Sequence, residues 1–128
     1  MSRGWILAFV FAAVACAQQV PQKGLEPPEE DESLIPKKYS FNPLQAAQDL
    51  KVGNYYFKKG NYRAAAQRFE EAAKWDGTLA EAYLRLAEAR EKQRDKKAAA
   101  EAYAKYLEIA PDAKDAAEVK KRLDKVRK

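Results

Sequence analysis

Residues able to do chemistry are few in this chain, and their spacing favours holding over reacting. No histidine occurs, which removes the commonest general base and metal ligand. The one cysteine, Cys16, stands in an apolar N-terminal run, and Ser33 and Ser40 lie in a proline-rich stretch with no candidate base alongside. Carboxylates are plentiful, yet they sit at helical spacings beside cations, as Glu88 does with Lys92, a pattern typical of a solvated helix surface. Gly53 and Gly60 lack the lysine and hydroxyl that complete a phosphate-cradling loop. These residues predict a protein that is not an enzyme and that uses no cofactor and no metal. Binding is the remaining chemistry.

Charge narrows what could be bound. The formal net charge is +5 over 128 residues, and the excess gathers late, at Lys114, Lys121, Lys125 and Lys128. A basic final helix is one route to an anionic membrane surface. Nucleic acid is not expected, because the basic stretch has no interleaved aromatic stacking platforms.

The elements that must position any binding residues announce themselves as an internal repeat. Residues 62–69 and 96–103 align 34 positions apart, with a basic residue, three alanines and an aromatic in register. The match extends upstream, Leu50 to Leu84, Val52 to Leu86 and Gly53 to Ala87, and downstream, Ala73 to Leu107 and Gly77 to Pro111. Such a period marks stacked supersecondary units, each unable to bury its apolar face alone. Asn42-Pro43 opens a first helix that runs to about Lys59, and Gly60-Asn61 ends it. A second helix spans Tyr62 to about Trp75, stopped by Asp76-Gly77. Thr78, three residues before Glu81, predicts a capping box for a third helix reaching about Arg94. The fourth covers Lys96 to about Ile109. In the fifth, Asp112 is the expected cap, and Ala116, Val119, Leu123 and Val126 share one face.

Small residues at Gly53, Ala87, Ala65 and Ala99, with Phe69 and Tyr103 filling the space between neighbouring hairpins, complete a pattern. It resembles the tetratricopeptide repeat. The first unit supplies Gly53, Tyr56, Ala65, Phe69 and Ala72; the second supplies Ala87, Ala99, Tyr103 and Pro111. Gly77 stands where that pattern has proline, and Arg90 and Tyr106 also depart from it. The resemblance implies an all-α fold, a short α-solenoid of two helical hairpins plus a C-terminal capping helix, over residues 42–128. Repeat one covers about 46–79, repeat two about 80–113 and the capping helix about 113–127. Two repeats make a short solenoid, so self-association or a partner is expected to support it.

The resemblance also implies a concave groove lined by the first helix of each unit and taking another protein or peptide. Its positions fall on Leu50, Lys51, Asn54, Phe57 and Lys58, then on Glu81, Leu84, Arg85, Glu88 and Glu91. Asn54 coincides with the asparagine that holds a peptide's terminal carboxylate in chaperone-binding members. The rest of that clamp is replaced, by Leu50, Asp115 and Val119. Residues 55–69 are further similar to the helical-repeat lipoprotein of the outer-membrane β-barrel assembly machine, over one hairpin only.

The N-terminal stretch has a different composition. Arg3 followed by the apolar run from Trp5 to Val14 reads as a secretory signal over residues 1–17, too short for a spanning helix. Ala15-Cys16-Ala17 suits cleavage that frees Gln18, while Ala13-Val14-Ala15-Cys16 resembles a bacterial lipoprotein box in which Cys16 is acylated. Export to the periplasm, or to an outer-membrane-anchored place in the cell envelope, is expected. Residues 18–41 read as a proline-rich, acidic linker, with Tyr39 and Phe41 expected to staple it onto the first hairpin.

Overall fold

Asn42 accepts a hydrogen bond from the Gln45 amide at 3.0 Å and hands the chain to Pro43, whose fixed φ suits a first helical turn. Helix α1 (Pro43–Lys58) starts there in the computed structural model, which describes residues 37–128. The signal segment and most of the linker expected from the sequence lie outside the described residues. Helices α2 (Tyr62–Trp75), α3 (Ala80–Lys92), α4 (Lys96–Ile109) and α5 (Ala116–Arg127) follow, with no strand among the described residues. Each packs on its neighbours in chain order, so α1–α2 and α3–α4 form hairpins and α2–α3 and α4–α5 join them into a stack. No described helix is long and apolar enough to cross a membrane.

The two hairpin corners are built alike. At the first, Gly60 and Asn61 donate their amides to the carbonyls of Phe57 and Tyr56, with Gly60 at φ 77°. At the second, 34 residues on, Arg94 and Asp95 donate to Glu91 and Arg90, with Arg94 at φ 61°. Both closures satisfy the last carbonyls of a helix through a left-handed residue. Asn61 and Asp95 then cap α2 and α4, accepting from Ala64 and Ala98 at 3.1 Å.

Two expected caps do not form. The Thr78 amide and hydroxyl both donate to Asp76 Oδ1, at 2.9 and 2.7 Å, so the side chain closes a local turn and α3 begins two residues later behind Leu79, which offers no side-chain cap. Asp112 likewise does not cap α5. Asp115 occupies that position, and its carboxylate accepts from the Tyr106 hydroxyl instead of a backbone amide.

The core is made of small residues and a few rings. Ala65, Ala66 and Phe69 of α2 enclose Ala89 of α3, and Ala87, Ala99, Ala102, Tyr103, Tyr106, Val119 and Leu123 form a second cluster, with Leu86 packed against both. Asp49 is the exception: it is 3% exposed and held by Arg68 at 3.2 Å and Gln45 at 3.2 Å. The Tyr39 hydroxyl donates to Glu71 at 2.7 Å and its ring meets Trp75 edge-on at 4.9 Å, which ties the start of the described chain to α2. Phe41 does not share that role. At 74% exposure it is too open to staple the hairpin as expected.

Candidate functional site

The 34-residue period continues past the second hairpin. Asn54, Glu88 and Arg122 form one column of it, and Phe57, Glu91 and Lys125 another, so α5 holds the position of a third unit's first helix. Together α1, α3 and α5 line a recess of about 550 Å³, bounded by Phe57, Glu88, Glu91, Lys92, Glu118, Lys121, Arg122 and Lys125.

A chain of charge-assisted bonds links the three helices that line this recess. Arg85 Nε donates to Asn54 Oδ1 at 2.8 Å, its Nη1 donates to Glu88 at 2.5 Å, and the guanidinium stacks 4.5 Å above the Phe57 ring. Arg122 donates to the other Glu88 oxygen at 3.2 Å and lies 3.8 Å from Glu118. The Tyr103 hydroxyl donates to Glu91 at 2.5 Å. Three helices that are not consecutive are therefore joined by a single side-chain network, the sort of arrangement that fixes side chains before a ligand arrives.

Protonation follows from this geometry. Burial and the Glu91 carboxylate push the Tyr103 phenol well above its ordinary range. Its bond to Tyr103, with Glu88 beside it, holds the Arg122 guanidinium above its usual value despite partial desolvation. Tyr106 is pushed up to about 12, first by its bond to Asp115 and then by burial. Every one of these groups keeps its resting charge at neutral pH. Glu88 and Glu91 are already engaged by guanidinium and phenol, an arrangement that can orient and hold a ligand.

Of the groove residues expected from the sequence, Phe57, Glu88 and Glu91 line the recess, and Asn54 and Arg85 are joined to Glu88 beside it. Lys51, Lys58 and Glu81 are exposed and do not line the recess. Leu84 is half-buried against the second core cluster, where it packs rather than presents. The reading of Glu88 as part of a solvated surface pattern with Lys92 is also corrected, since Arg85 and Arg122 hold its carboxylate. Lys92, Tyr103, Glu118 and Arg122 were not anticipated as site residues, and Lys121 and Lys125 were expected only as part of a basic surface, not of the groove. Adding 34 to Glu88 and Glu91 reaches Arg122 and Lys125 directly, but treating α5 as a solvating cap hid that signal.

A tetratricopeptide repeat family model matches residues 56–123, more than half of the 128-residue chain. The chain belongs to the tetratricopeptide repeat family. The match runs from the last turn of α1 to Leu123, so most of α5 lies within it, in keeping with the columns traced above. No curated protein matches the chain. Tetratricopeptide repeats commonly mediate protein–protein interaction, and the recess of this repeat protein is a surface suited to that work.

Proposed function

We propose that this tetratricopeptide repeat protein is a non-catalytic, exported adaptor of the bacterial cell envelope that receives another protein in the α1–α3–α5 recess. The observation that carries this reading is the Asn54–Arg85–Glu88–Arg122 network, which holds the first helices of successive units in one fixed arrangement. A ligand meeting prearranged side chains loses less entropy on binding. Asn54 is already anchored by Arg85, and the terminal-carboxylate clamp is replaced elsewhere, so an internal segment of a partner fits better than a chain end. Lys121, Arg122 and Lys125 line the recess, which favours a protein ligand over the basic-helix membrane reading.

Export rests on the charged start and apolar run of residues 1–17. A second reading, an outer-membrane lipoprotein that assists envelope protein assembly, is favoured by Ala13-Val14-Ala15-Cys16. Mass spectrometry of the protein recovered from envelope fractions separates the two: an N-terminus at Gln18 supports simple cleavage, and an acylated Cys16 supports the anchored form. Retention of the full chain in the cytoplasm would refute both.

The binding reading is tested by photo-crosslinking. A crosslinker in place of Lys92 or Lys125 should capture the same partner, while one in place of Lys97, on α4, should not. Capture that is equal from all three positions, or absent from the recess positions, would overturn it.

A further inference from the structure

Helix α3 lies beneath the helix that precedes it, and the repeat allows the same face to be found on α1. Leu86 and Ala89 of α3 pack against Ala65, Ala66 and Phe69 of α2, and Arg90 pairs with Glu70. Thirty-four positions earlier stand Val52, Tyr55 and Tyr56. Ala89 is fully buried; Tyr55, its counterpart, is 58% exposed. Leu44, Gln48, Val52 and Tyr55 recur at three- and four-residue steps and so share one side of α1. Leu44 is 82% exposed, and Phe41 lies just ahead of the helix at the same end. Phe41, Leu44 and Tyr55 are the large apolar side chains exposed among the described residues, and a stripe of this kind differs from singly scattered surface apolars.

Charge decides what fits. Lys51 and Lys58 of α1 are exposed, and Lys59 lies 5.6 Å from the Tyr55 ring. The one carboxylate of α1, Asp49, is buried and consumed by Arg68. The stripe is thus apolar with a cationic border. A second copy docked by the same face would set lysines against lysines, and docking against α5 would meet a helix on which the exposed Lys120, Lys121, Lys125 and Arg127 outnumber Glu118 and Asp124, so both self-pairings bring net like charge together. The molecule already shows what covers such a face: α2 offers α3 an apolar seam of Ala65, Ala66 and Phe69, flanked by the acidic Glu70.

We infer that the open side of α1, from Phe41 to Tyr55, docks an amphipathic helix of another protein, apolar along its seam and acidic along its flanks. This surface is separate from the α1–α3–α5 recess, and its occupant need not be the partner bound there. Tyr55 in the place of Ala89 demands a small residue opposite it.

Two fluorescent synthetic peptides of 18 residues test this against the full chain. They share one Ala/Leu/Phe seam, and their flanks are glutamate in one and lysine in the other. The glutamate-flanked peptide should bind saturably and at least tenfold more tightly than its lysine counterpart. Leu44→Lys and Tyr55→Lys, both at exposed positions and checked for unchanged helicity, should each weaken it at least tenfold. Lys121→Glu with Lys125→Glu should leave it unchanged. Absence of binding, equal affinity for both peptides, or loss confined to the recess variant would overturn the proposal. Sedimentation in which the full chain dimerises and Tyr55→Lys dissociates it would instead make a second copy the occupant.

Discussion

The two hairpins share a backbone plan but spend their central aromatic differently. In the first, Phe69 is fully buried, and a Cβ added to Gly53 would sit 2.5 Å from its ring. In the second, the equivalent positions hold Ala87 and Tyr103. Tyr103 is just as buried, yet its hydroxyl reaches out to Glu91 and its oxygen to Arg122. The first ring is apolar throughout and meets the network only through its face, 5.8 Å from the Arg85 guanidinium, whereas the hydroxyl of the second bonds directly to Glu91 in the recess. A period in sequence therefore fixes where backbones run, while single atoms decide which unit carries the site.

The sharpest test of that contrast removes the rings. Phe69→Ala should cost about 3–5 kcal/mol, since a fully buried aromatic is lost from a cluster whose other buried residues are Ala65, Ala66 and Ala89, and thermal melts followed by circular dichroism should show a fall of more than 10 °C. Tyr103→Phe keeps the ring and should cost only about 1 kcal/mol, but crosslinking through Lys92 should drop with it. Melts of equal size for the two variants would erase the distinction.

Gly53→Ala comes next. Alanine is the better helix former, but the ring atoms 2.5 Å and 2.7 Å away belong to a side chain with nowhere to move, so overpacking should win by about 1–3 kcal/mol. The matching change in the second hairpin, Ala87→Gly, relieves no clash and should cost about 1 kcal/mol from helix propensity.

The corners offer a smaller effect of opposite sign. Arg94 holds a left-handed conformation that costs a residue with a Cβ about 1–2 kcal/mol, whereas Gly60 holds the same conformation freely. Arg94→Gly should stabilise the protein by about 1 kcal/mol, and Gly60→Ala should destabilise it by a similar amount even though nothing lies within 4 Å of the added carbon. Chemical denaturation midpoints would measure both.

High pH should loosen the second half more than the first. Tyr39 is raised to about 12, by burial first and Glu71 second; Tyr106 is raised to about 12, and Tyr103 is raised as well. In the unfolded chain these phenols ionise near the ordinary 10.0, so between pH 10 and 12 the native state binds more protons than the unfolded state. Their contribution is complete below pH 10 and is lost as pH rises through 12. The melting temperature should fall across that window, and Tyr103→Phe with Tyr106→Phe should flatten the slope more than Tyr39→Phe does.

Much of the architecture was legible because period and punctuation are local signals. The start of α1, the whole spans of α2 and α4 and the shared face of α5 all follow from capping residues and helical spacing. The Thr78 and Asp112 caps failed for a common reason: a short polar side chain chooses among neighbours that a motif does not weigh. At the site, Asn54, Phe57, Arg85, Glu88 and Glu91 were legible through the family's groove positions. Arg122, Lys121 and Lys125 were not, because one amphipathic helix rich in lysine reads equally well as a cap, a membrane patch or a groove wall.

The order of residues alone determined that this protein is a stack of antiparallel helices, since apolar spacing and a 34-residue echo dictate helix length, turn and partner face. Only the tertiary structure decided which charges cooperate. Asn54, Glu88 and Arg122 are separated by whole repeats along the chain, and they act together because stacking sets the first helices of successive units side by side. Stacking likewise leaves Tyr55 uncovered where Ala89 is buried, a difference that depends on what lies above each helix and not on the helix itself.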